Sequence, residues 1–99
     1  MLKKGWVDTV KAIRTIEEYL LYLEEKGFHL KEDARGFIAF GQQYAGASEE
    51  VVIYAIEWTL KMQREFDGSF FMSLVESLTA EKIQTRRQAT MFFEQKGMI

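Results

Sequence analysis

Apolar residues recur in steps of three and four along most of the chain, and glycines or polar clusters separate the stretches. This is the spacing of amphipathic helices rather than of strands. Trp6, Val10, Ile13, Ile16, Leu20 and Leu23 make the first stripe, which predicts a helix from about Asp8 to Lys26, stopped by Gly27. Glu32 and Asp33 then stand where the positive end of a helix favours acids, and Phe37, Phe40 and Tyr44 follow at helical spacing. A second helix is expected from about Leu30 to Tyr44. Its Gly36 and Gly41 weaken helix propensity and would suit the close approach of another helix.

Ser48 is a good N-cap, Glu49 and Glu50 fit the first turn, and Val52, Ile56 and Leu60 stand four apart, so a third helix should span about Ser48 to Arg64. The run Phe66-Asp67-Gly68-Ser69 reads as a turn leading into an N-cap. Beyond it Phe71, Leu74, Val75 and Leu78 form a short amphipathic helix. Thr85 with Gln88 has the pattern of a capping box ahead of Ala89, Phe92 and Phe93, which predicts a fifth helix over about Thr85 to Lys96, either separate from the fourth or continuous with it. The expected fold class is all-α, a compact bundle of four to five helices forming a single domain over residues 1–99. Its expected core is Val10, Ile13, Leu20, Phe37, Phe40, Val52, Ile56, Leu60, Phe71, Leu74 and Phe93.

A chain of 99 residues has room for one core, and with 47% hydrophobic residues against 28% charged it can offset the entropy of ordering without a metal or a disulfide. The lack of cysteine excludes thiol catalysis, thiolate metal ligation and a disulfide framework. No signal peptide is visible and no apolar run approaches the roughly 18 residues of a membrane span, so a cytoplasmic protein without membrane contact is expected. The net charge of −2 supplies no general basic field. Any nucleic-acid contact would have to come from a local basic face.

Candidate chemistry is sparse. His29 is the sole histidine and has no second nitrogen ligand or nucleophile beside it, so a loop or cap position fits it better than a zinc site or a triad. The acidic pairs Glu17-Glu18, Glu24-Glu25, Glu32-Asp33 and Glu49-Glu50 are neighbours that diverge by about 100° on a helix, which suits a solvated surface and not acid–base work. The glycines make no phosphate-binding loop. No catalytic, metal-binding or cofactor-binding residue is therefore expected, and the protein is read as a non-enzyme that acts by binding.

Two surfaces could bind. Tyr54, Trp58 and Met62 form a second apolar row on the third helix, about 200° from the Val52 row. It is either buried in a helix covered on all sides or a docking face for a protein partner or a second copy. The C-terminal third carries the one local basic cluster, Lys82, Arg86, Arg87 and Lys96, with Lys82 and Arg86 at the spacing of one helical face. It could track phosphates, with Gln84, Thr85 and Gln88 adding polar contacts.

The order of features from about Phe37 to Phe93 resembles the C-terminal helical domain of DnaD-like replication initiation (primosome) proteins. The likeness rests on Ser48-Glu49-Glu50-Val51-Val52-Ile53-Tyr54-Ala55-Ile56 and then Ser69-Phe70-Phe71-Met72-Ser73-Leu74-Val75. In that family a helix opening with Ser or Thr and acids carries an Ile-x-Ala-Ile core, and a later helix carries Tyr-x-x-x-Ile-x-x-x-Trp. Phe71 and Val75 take the Tyr and Ile places here, and Thr79 stands where the Trp is expected. The resemblance implies a non-catalytic replication accessory module of phage or bacterial type, a replisome organiser or helicase loader that self-associates and binds DNA. It also implies a relative without the family's N-terminal winged-helix portion. The alternative is a small adaptor or inhibitor from a phage or mobile element that docks on a host protein without touching DNA.

Overall fold

A computed structural model describes residues 15–28 and 30–98. Five helices run through them in chain order: α1 (Ile16–Glu25), α2 (Glu32–Ala45), α3 (Glu49–Gln63), α4 (Gly68–Ala80) and α5 (Arg86–Gln95). The fold is an all-α bundle. The N-terminal stripe of Trp6, Val10 and Ile13, with Val10 and Ile13 of the expected core, and His29 lie outside the described residues.

Four of the five helices start where a short side chain takes up an orphan backbone N–H, and only α2, entered from Lys31, has no side-chain cap. At α1 the cap is Thr15, whose hydroxyl accepts from the Glu18 N–H at 3.1 Å while its own N–H donates to the Glu18 carboxylate at 3.3 Å. Thr15 is extended (φ −114°, ψ 154°), so the helix expected from Asp8 does not run unbroken through this residue. Thr15 and Glu18 form a capping box that the apolar stripe overran. Ser48 caps α3 through the Val51 N–H, and Asp67 caps α4 through the Phe70 N–H. The expected box of Thr85 and Gln88 opens α5. Between α4 and α5 the chain turns at Lys82, with φ at 58°, and Ile83 donates back to the Leu78 carbonyl. The last two helices are therefore separate.

The bundle is built around α3, in which Val51 through Ile56, Trp58 and Thr59 are all buried. Helix α4 packs on both α2 and α3, while α1 and α5 pack on α3. Thr59 is fully enclosed and its hydroxyl donates to the Ala55 carbonyl at 2.7 Å, which satisfies this polar side chain at the centre. Glu49 reaches across from the start of α3 to accept the Ile16 N–H at 2.7 Å, tying the open end of α1 to α3.

Of the expected core, Leu20, Val52, Ile56, Phe71, Leu74 and Phe93 are buried, while Leu60 is only partly covered. Phe37 and Phe40 are 43% and 58% exposed. Helix α2 turns its small side inward, burying Ala34, Ile38 and Gly41. The cause is visible at Gly41, where a Cβ would stand 2.9 Å from the Phe71 ring and 3.0 Å from the Met72 sulfur. A narrow face lets α2 settle against the bulky side chains of α4. Gly36 meets nothing within 4 Å, so the close approach expected at both glycines occurs at Gly41 only.

Candidate functional site

The basic cluster does not assemble as one helical face. Lys82 sits in the turn before α5, so it does not share a helix with Arg86 as the spacing suggested. The Arg86 guanidinium donates to the Glu57 carboxylate of α3 and lies 5.0 Å from the centre of the Tyr54 ring. That ion pair and ring contact commit Arg86 to holding α5 on α3. Arg87, Lys82 and Lys96 remain exposed, the last with its ammonium 5.5 Å from the Phe92 ring.

The Tyr54, Trp58 and Met62 row is not an open face either. Tyr54 and Trp58 are each 8% exposed, and the Trp58 ring lies 4.2 Å from that of Phe93 in α5. Helix α5 covers the row inside the chain, and only Met62, at the end of α3, stays substantially exposed. Burial raises the Tyr54 phenol above its ordinary pKa, against the opposing pull of Arg86. Tyr19 in α1 is raised further, first by burial and then by the negative Glu57 beside it. Both phenols therefore stay neutral near neutral pH.

Two open spaces flank α3, the first mainly apolar and the second mixed, with Lys31, Asp33, Arg64 and Glu65 also in its lining. A groove of about 530 Å³ between α1 and α3 is walled by Tyr19, Tyr22, Leu23, Phe28 and Leu60, with Lys61 at its edge. A second cleft of about 440 Å³ runs from Leu30 and Phe37 to Leu60 and Phe66. Among the described residues there is no group of three His, Asp or Glu side chains that could hold a metal ion. Nor is any helix there long and apolar enough to cross a membrane.

Among the described residues, three of the exposed large apolar side chains gather on the outer face of α2. Phe37, Phe40 and Tyr44 are 43%, 58% and 65% exposed, and the last two rings are stacked at 5.6 Å. The Phe37 ring rests on the backbone of α4 at Gly68, where a Cβ would stand 2.8 Å from it. Phe37 is thus held in place while Phe40 and Tyr44 project. From Gly36 to Ser48 the chain carries no charged residue. The spacing of these three aromatics is legible in the sequence, and the two of them expected in the core, Phe37 and Phe40, lie outside it. The competing signal in the sequence is a second series on the same helix, Ala34, Ile38, Gly41 and Ala45, about 100° round from the aromatic row.

A family of unknown function, DUF6123, matches residues 11–99. The chain belongs to this family. No curated protein and no solved structure matches it. The DUF6123 match extends over all five helices.

Proposed function

We propose that this DUF6123 chain is a protein-docking module that works without catalysis, its docking face the Phe37, Phe40 and Tyr44 row of α2. The observation that carries the reading is the exposure of three aromatic rings along one face of a helix that carries no charged residue from Gly36 to its end. Scattered exposed apolar residues are ordinary, but a contiguous aromatic patch marks a surface that another molecule covers. Aromatic rings are also the side chains that most often anchor protein interfaces. Of the two roles weighed from the sequence, this supports the adaptor over DNA contact. Docking onto a replication protein, as the DnaD-like resemblance implies, is one form of that role.

The test is a photo-reactive phenylalanine analogue placed at Phe40 and, as a control, at the exposed Met91 of α5. Crosslinking in the native cell should give one discrete protein adduct from position 40, identified by mass spectrometry and lost on adding Phe37→Glu. Adducts to DNA, or equal adducts from both positions, would count against docking through α2. A DNA titration at low salt complements it. Binding that weakens on replacing Lys82, Arg87 and Lys96 with glutamine would restore the phosphate-contact reading.

A further inference from the structure

Independently of the docking face on α2, we infer that the groove between α1 and α3 binds a small amphipathic anion, an apolar chain ending in a carboxylate, of the fatty-acid class. The groove holds about 530 Å³, within the roughly 300–1,000 Å³ of small-molecule sites. It has a buried floor in Tyr19 and Leu23, and its sides rise to the partly covered Leu60 and the exposed Phe28. Leu60 shows how such a space arises. It ends the Val52, Ile56 and Leu60 row of α3, whose first two members are fully enclosed, so the row runs out from under cover beside the last turn of α1.

The charges around the groove select the ligand. Lys26 and Lys61 stand at its rim, and the Lys61 ammonium lies 4.8 Å from the centre of the Trp58 ring and pairs with no carboxylate among the described residues. Glu57 also lines the groove, but it accepts from the Arg86 guanidinium, which offsets its charge. The rim is thus net positive in a chain whose net charge is −2. A neutral hydrocarbon would cover the apolar sides and leave Lys61 unanswered, and an inorganic anion would do the reverse. A chain lying over Leu23, Phe28 and Leu60 with its carboxylate at Lys61 satisfies both. Lysine suits the rim because its stem can follow apolar surface while the ammonium stays at the water's edge.

Titration of the isotope-labelled full chain with monomeric laurate, followed by NMR, tests this. The amide signals of Leu23, Phe28, Leu60 and Lys61 should shift together. Dodecylammonium, the same chain with the opposite charge, should bind about tenfold more weakly or worse. Decanoate should bind about fourfold more weakly for each methylene lost, the transfer value of a buried methylene. Lys61→Gln alters an exposed side chain that the fold does not need, and should weaken laurate by about threefold while favouring dodecylammonium. Arg86→Gln leaves the Glu57 carboxylate unanswered beside the groove and should change the two affinities in the same directions. Equal affinity for the two ligands, or shifts confined to Phe37, Phe40 and Tyr44, overturns the inference. So does the absence of shifts at millimolar laurate, the result expected of a groove filled by residues 1–14 of the chain itself. A chain that pellets with phosphatidylserine vesicles but shows no shifts with monomeric laurate assigns the lysines to a lipid surface, and that also overturns it.

Discussion

Helices α2 and α3 are of similar length, 14 and 15 residues, and both carry aromatics at helical spacing, yet they place them oppositely. Helix α3 is covered on nearly every side, so Tyr54 and Trp58 pack under α5. Helix α2 buries Ala34, Ile38 and Gly41 and leaves Phe37, Phe40 and Tyr44 outside. Aromatic content alone does not decide which face goes in. What decides it is whether the neighbouring helix needs room, and α4 presents Phe71 and Met72 where α2 must come close.

The comparison breaks most directly by truncation. Ile56→Ala in α3 removes a side chain that is fully enclosed and should cost roughly 2–5 kcal/mol in denaturant unfolding. Phe40→Ala in α2 should change stability by less than about 0.5 kcal/mol, as for an ordinary surface site. Comparable losses at both would mean that Phe40 is covered in the isolated chain.

The two glycines of α2 sharpen the contrast within one helix. Gly41→Ala places a methyl group against the Phe71 ring, which is fully buried and cannot swing aside. Overpacking of this kind costs typically about 1–3 kcal/mol. The better helix propensity of alanine, about 1 kcal/mol, returns part of that and leaves a net loss. Gly36→Ala meets open space and should stabilise by about 0.5–1 kcal/mol. Thermal melts of both variants check the opposite signs.

How much was legible in the sequence follows from the same two helices. Capping residues and apolar spacing are local, so Ser48, the Thr85–Gln88 box and the α3 rows could be read directly. The Thr15–Glu18 box was equally local and was passed over because the apolar stripe continued through it. Two series can be read within α2, Ala34, Ile38, Gly41 and Ala45 beside Phe37, Phe40 and Tyr44, but which of them packs inward depends on Phe71, thirty residues away from Gly41 in sequence. The fate of the basic cluster is likewise set at a distance, since Glu57 has to be placed opposite Arg86 before that cation can be seen to be committed.

Alkaline titration separates the covered helices from the open one. Tyr19, packed beside α3, is raised above the ordinary tyrosine value of 10.0, by burial first and by Glu57 second. Below that value the phenol is neutral in both folded and unfolded chains, and its full contribution to stability is present. As pH climbs past it the unfolded chain ionises first, so stability falls through the interval up to the folded value. Tyr19→Phe should flatten this alkaline decline in unfolding measured across pH. Tyr54→Phe should do so by less, because Arg86, which opposes the rise at both phenols, is the second influence after burial at Tyr54 and comes after Glu57 at Tyr19. An unchanged decline in both variants would mean that neither phenol is held neutral by the fold.

The smallest expected effect concerns the charges of the two helices. Glu57 of α3 is partly covered and is met by Arg86, whereas Arg35 of α2 is exposed to water. A pair with both partners partly open to solvent contributes little, about 0–1 kcal/mol, since water already screens it. The residual value of Arg86 includes its packing over Tyr54, which an ion-pair measurement alone would miss. A double-mutant cycle of Arg86→Gln and Glu57→Gln isolates the charge coupling, which should fall within that range and shrink in high salt. Arg86→Met keeps an apolar stem against the ring and should be less destabilising than Arg86→Ala. Arg35→Gln should lie within about 0.5 kcal/mol of wild type. Were Arg86→Ala as silent as Arg35→Gln, Arg86 would be an ordinary surface cation, free to join Lys82 and Arg87 on a phosphate backbone. The division between a covered α3 and an open α2 would then lose its electrostatic half.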